Sequence, residues 1–241
     1  MRAALPFLLI LPACTEPALE VVDRVAQAVE RRDEGAIRQR LATTYADPLG
    51  GEAEVLQDLR GFFERFDNLR IDLEDPHEKK KASELETEVT ALLDAELVGH
   101  PTWRVIGPVH FELVRQDGWR IRSGLFTELR DAMRLADARR AALEANDAQA
   151  LAPHLHPRYR DGDLDAQQAL ARLAHDLDGM KVRLEVTNYR LEIREQEAHL
   201  DEHYRMTVND QPMPPAVARL TLGRNVGRYA IEAGLYPAEA Q

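Results

Sequence analysis

The chain has 241 residues, 31 Lys+Arg against 42 Asp+Glu for a formal charge of −11, and 44% apolar residues. This is globular composition, and an acidic chain with dispersed basic residues has no footprint for a phosphate backbone, so no nucleic-acid partner is expected. A single cysteine excludes an internal disulfide framework and any multi-cysteine metal site.

At the N-terminus, Met1-Arg2 sets one positive charge before an apolar run, Leu5 to Leu11, that is too short to cross a bilayer and ends at Ala13 before Cys14. The pattern is that of a secretory signal. Leu11-Pro12-Ala13-Cys14 resembles the lipobox of bacterial lipoproteins, with Pro12 where small or β-branched residues usually stand. The resemblance implies a signal peptide over residues 1–13, lipidation of Cys14, a tether over residues 14–19 and a membrane partner reached through the lipid. A diacylglycerol plus a further acyl chain suffices for stable attachment. Thr15 stands where an aspartate would retain the protein at the inner membrane, so the resemblance implies a cell-envelope location on the periplasmic face of a membrane, with the outer membrane favoured.

The remainder repeats. An offset of 114 aligns residues 21–59 with 135–173 without a gap, and ten of these 39 positions are identical, where composition alone gives about three. Asp23/Asp137, Glu30/Glu144, Asp33/Asp147, Leu41/Leu155, Tyr45/Tyr159, Asp47/Asp161 and Leu59/Leu173 are among them. An offset of 110 then aligns Trp119–Phe126 with Tyr229–Tyr236.

Within the first copy, Val21, Val22, Val25, Ala28 and Val29 recur at helical spacing, as do Val55, Leu56, Leu59, Phe62, Phe63 and Phe66. Between them the sequence predicts a short helix over 34–42, stopped by Asp47-Pro48 and Gly50-Gly51. The period then changes to two: Leu69, Ile71 and Leu73, followed by alternation from Leu85 to Leu97, predict strands with one wet face. At Asp117-Gly118, a three-residue turn ending in a left-handed glycine puts Val109, Phe111 and Leu113 on the face of Trp119 and Ile121, leaving His110 and Glu112 outside the core. Residues 127–145 run straight into the first helix of the second copy. The expected fold class is α+β, a tandem repeat with helices packed on a curved antiparallel sheet.

This order, closing with the hairpin Gln116-Asp117-Gly118-Trp119-Arg120-Ile121, resembles the nuclear transport factor 2-like (SnoaL-like) superfamily. The resemblance covers both copies, 20–127 and 128–241. It implies cone-shaped units with a cavity between helices and sheet, and an internal pseudo-dimer. Phe62, Phe63, Phe66 and Leu92 are large enough to fill the first cone.

Candidate chemistry is sparse. His199-Leu200-Asp201-Glu202-His203 matches a zinc motif that requires a helix, whereas the surrounding alternation predicts a strand, on which the histidines stand about 13 Å apart. No metal is therefore expected there. His154 and His156 lack further ligands at metal spacing. With no phosphate loop or dinucleotide fingerprint, no cofactor is expected. Glu202 falls on the apolar face of its strand, where the first copy has Ala91, and is the foremost candidate acid or base. Tyr159 and Asp161 are the others, although their retention as Tyr45 and Asp47 in the first copy favours a structural role. Two functions are consistent with this. One is a lipid-anchored envelope module that binds an apolar small molecule or an envelope protein without catalysis. The other is a pocket enzyme (isomerase, dehydratase or hydrolase-like) with its site in the second copy.

Overall fold

The computed structural model describes residues 16–81 and 85–235. Cys14, the lipidation candidate, lies outside the described residues, as does Tyr236. The first repeat comprises α1 (Ala18–Glu30), α2 (Glu34–Arg40), the short strands β1 (Ala46–Asp47) and β2 (Gly50–Gly51), α3 (Glu52–Arg65), then β3 (Phe66–Lys80), β4 (Glu86–Gly99), β5 (Thr102–Arg115) and β6 (Trp119–Ser123). The second repeats this order: α4 (Thr127–Glu144), a 3₁₀ helix (Ala148–His154), β7 (Arg160–Asp161), β8 (Leu164–Asp165), α5 (Ala166–Leu177), β9 (Val182–Ile193), β10 (Glu197–Val208), a short β11 (Gln211–Pro212), β12 (Ala216–Asn225) and β13 (Arg228–Ala233). Pro153 and the lack of its amide donor account for a 3₁₀ turn where the first repeat has α2. No helix among the described residues is long and apolar enough to cross a membrane.

All the long strands form one sheet in the order β13-β12-β10-β9-β5-β4-β3, with β6 on β5 and β11 on β10. Within each repeat the pairing is antiparallel. The repeats meet where β5 pairs in parallel with β9, Thr102 opposite Asn188 through Ile106 opposite Glu192. The joint therefore unites the third long strand of one repeat with the first of the next, a head-to-tail arrangement. Trp103 stacks on Tyr189 across it, ring centroids 4.1 Å apart.

The expected hairpin register holds: Leu113 faces Ile121, Arg115 faces Trp119, and Asp117 and Gly118 both have positive φ. Val109, Phe111, Leu113 and Ile121 are fully buried, while His110 and Glu112 point outward. Leu92 departs from the expectation. Alternation sends Ala91 and Leu93 inward, so Leu92 lies on the outer face, 40% exposed, and takes no part in filling the first interior.

The residues shared by the two repeats hold the frame. Asp33 and Asp147 accept the backbone N–H of Ala36 and Ala150 as helix N-caps. Glu30 and Glu144, at the ends of α1 and α4, accept N–H groups of Ile71 and Leu184 on the first strand of each repeat. Leu41 bridges to Ile121, and Leu155 to Ile231. Arg32 and Asn146, both at left-handed φ, reach carbonyls at or just beyond the end of the third helix of their repeat, Arg32 to Phe63 and Asp67, Asn146 to Met180. Different side chains thus perform one task.

Candidate functional site

The Tyr-x-Asp pair is built first from local backbone. Leu49 N–H donates to Asp47 Oδ1 at 2.8 Å, closing the turn between β1 and β2. The other carboxylate oxygen accepts from Tyr45 at 2.6 Å, Thr127 at 3.0 Å and Arg130 at 2.6 Å. Burial pushes the Asp47 carboxyl up, but the Tyr45 hydroxyl, the Arg130 guanidinium and the Leu49 amide outweigh it and hold the group below the ordinary aspartate range. Arg130 is itself fully buried and bonds Asp58 at 2.7 Å, which in turn takes two bonds from Arg134. In the second repeat Tyr159 donates to Asp161 at 3.1 Å. The site candidates Tyr159 and Asp161 thus reproduce the turn contact of Tyr45 and Asp47.

Glu202 lies in mid-strand on β10, opposite Tyr189 on one side and Ala218 on the other. Ala91 holds the matching place in the first repeat: it faces Val109, which lies two residues before Phe111 just as Ala218 lies two before Leu220. The match of Phe111 with Leu220 follows from Gly124 and Gly234, which crowd the same backbone atoms at these positions. Glu202 is 1% exposed and bonds the guanidinium of Arg139 on α4. Burial pushes its carboxyl above the ordinary glutamate range, and the Arg139 charge pulls it partly back. Arg139 corresponds to Val25, fully buried in the first repeat. Two buried apolar residues in one copy, Val25 and Ala91, are therefore an Arg/Glu ion pair in the other. Sequence reasoning found Glu202 and missed Arg139, although the signal was present: an arginine aligned with an apolar helix position. Beside the pair, the Tyr189 hydroxyl is buried without a hydrogen-bond partner.

The remaining candidates are peripheral. His199 and His203 sit on the outward face of β10, and His199 contacts Glu197 at 3.2 Å. His156 is buried, its ring accepting the Arg158 N–H and facing the Arg224 carbonyl, which pins the loop after the 3₁₀ helix. Among the described residues no group of three or more His, Cys, Asp or Glu could hold a metal ion. A groove of about 440 Å³ runs between α3 and α4, past Phe62, Arg65, Arg134 and Asp137, and a recess of about 650 Å³ lies against Glu144, Lys181, Arg183 and Arg205. Glu202 lines neither.

The architecture is α+β, helices on a curved sheet, with one element order used twice. No family model and no curated protein matches the chain. Solved structures do. A protein provisionally named an aromatic ring hydroxylase from Novosphingobium aromaticivorans is 17% identical, over 44% of this chain and 82% of its own, with a TM-score of 0.41. One provisionally named a dehydratase of the NTF2-like family from Streptomyces avermitilis is 18% identical over 44% and 88%, TM-score 0.39. One provisionally named a ketosteroid isomerase from Shewanella frigidimarina is 18% identical over 44% and 91%, TM-score 0.38.

Proposed function

We propose that this chain is a non-catalytic protein-interaction module of the cell envelope, held at a membrane through lipid on Cys14 and built from two nuclear transport factor 2-like units, 20–127 and 128–241. The observation that carries the non-catalytic part is the Arg139–Glu202 contact. A general base must be reachable by substrate and free to take a proton, whereas this carboxylate is sealed and bonded. Buried apolar side chains occupy both interiors, Leu170, Leu191, Leu200, Leu220 and Ile231 in the second repeat and Phe62, Phe66, Phe111 and Phe126 in the first. Filled interiors direct partner binding to the outer sheet face and the surface recesses. Native mass spectrometry of the protein starting at Thr15, before and after denaturation, tests this. A single unadducted mass is expected, and a compound released on denaturation overturns the reading in favour of a carrier. The anchor is tested separately by metabolic labelling with an alkyne fatty acid, which Cys14→Ser should abolish.

The raised Glu202 carboxyl beside an unpartnered Tyr189 hydroxyl favours the second reading, a pocket enzyme in the second repeat. That reading requires Arg139 to release Glu202, and turnover abolished by Glu202→Gln would establish it.

A further inference from the structure

The parallel joint between β5 and β9 is heterologous: it unites two different edges of one repeating unit. Such an interface, unless it closes, leaves the complementary edges open at the two ends of the array and propagates into a filament. The free counterparts can be located residue by residue. Phe111 matches Leu220, and one residue more lies between Pro212 and Ala216 than the pairing of β5 with β4 contains, so the β5 segment Thr102–Ile106 corresponds to Asp210-Gln211-Pro212-Met213-Pro214-Pro215 in the second repeat. Ile71 matches Leu184 through the Glu30 and Glu144 caps, and the strand pairings place the β9 segment Asn188–Glu192 over Glu74-Asp75-Pro76-His77-Glu78-Lys79 in the first.

Neither counterpart can make the joint. Three of six residues in the first are prolines, which lack the amide donor that a ladder needs. The second contains Pro76, a left-handed Asp75 and an irregularity in the pairing with β4 between Glu74 and His77. The side chains that fit the joint are missing as well. Trp103 corresponds to Gln211, and its stacking partner Tyr189 to the Asp75-Pro76 irregularity. At Gly107, φ is +142° and an added Cβ would stand 2.2 Å from the Ile193 carbonyl oxygen, whereas the second repeat has Ala216 there.

We propose that the parallel joint is a surface that fits a second copy of this chain, and that Pro76 at one end and Pro212, Pro214 and Pro215 at the other confine it to a single intramolecular use. Prolines and bulges are a general means of closing sheet edges. Here they close the two edges that the repeat itself made complementary.

The test uses two full-chain variants. One carries Pro76→Tyr, the other Gln211→Trp, Pro212→Arg, Pro214→Val, Pro215→Ile and Ala216→Gly, so each opens one edge of the pair. Circular dichroism establishes that each is folded, and light scattering gives the mass of each alone and of a 1:1 mixture. The expected result is that each alone keeps the mass of the unaltered protein, while the mixture gives a species containing one of each. A variant carrying all six substitutions should grow in mass with concentration without a plateau. Folded variants whose mixture shows only the separate masses overturn the proposal, and so does self-association of either variant alone. Should the second variant fail to fold, Pro214→Val with Pro215→Ile replaces it, with the same two outcomes.

Discussion

Asp47 and Glu202 show how one functional group, the carboxyl, takes opposite electrostatic fates under burial. Three donors converge on Asp47 Oδ2, so its ionised form is favoured in the folded state. A carboxyl depressed on folding supplies stability that is complete above its unfolded pKa, near 4, and is lost as pH falls through the folded value. Urea midpoints measured between about pH 6 and pH 3 should fall on the acid side in the unaltered protein, and Asp47→Asn should be less stable at neutral pH with a shallower acid limb. At Glu202 the guanidinium groups of Arg139 and Arg140 oppose full burial, and the net direction is upward. Removing one member of such a pair strands a buried charge, so Arg139→Val alone should cost about 3–5 kcal/mol in urea denaturation. Arg139→Val with Glu202→Ala, the residues that the first repeat uses, should recover most of that loss. A double variant as unstable as the single one would show that the second interior does not close over the void that the smaller pair leaves.

Among the elements, the returning strands β6 and β13 end alike. Gly124 and Gly234 sit at φ +94° and +96°, and a Cβ on either would lie 1.9 Å from a carbonyl oxygen, of His110 or Arg219. Gly118, at φ +114°, has no atom within 4 Å of the same added carbon. The three substitutions to alanine separate backbone strain from collision. Gly118→Ala bears strain alone, about 1 kcal/mol, while Gly124→Ala and Gly234→Ala should each exceed it by at least about 2 kcal/mol in thermal or urea unfolding. Equal losses at all three would mean that the strands shift freely. Helix α4 acts at the same scale. Arg130 ties it to Asp47 and Asp58 of the first repeat, whereas Glu128 bonds Arg224 at 2.8 Å and Asp131 accepts the Tyr229 N–H in the second. The segment read as a plain connection is the polar spine of both units.

For the whole molecule, a sheet continuous through β5 and β9, a shared α4 and the Arg65–Asp137 ion pair between α3 and α4 couple the two repeats. Both tryptophans, Trp103 and Trp119, lie in the first repeat. Their fluorescence and far-ultraviolet circular dichroism should therefore trace one coincident unfolding transition. A second circular-dichroism transition, silent in fluorescence, would show that the second repeat unfolds on its own.

Periodicity, turn chemistry and the internal alignment were enough to read the helices, the long strands, the register of the closing hairpin and the repeated order, because each depends on residues near in sequence or repeated along it. The inward placement of Glu202 was legible for the same reason, since the two faces of a strand alternate. The repeat alignment marks Arg139 as an arginine at an apolar helix position, but not its pairing with Glu202: the two stand 63 positions apart, and only the packing of α4 on β9 and its neighbours brings them together. The buried Arg130 hub and the Trp103–Tyr189 stack were hidden in the same way. Alternation also outranked size at Leu92, a residue large enough for the core yet set on the wrong face. The choice of which strand edges meet belongs to the tertiary structure. Several edges of a repeated unit satisfy the same local pattern, and it is the prolines at two of them, together with the glycine at Gly107, that select one.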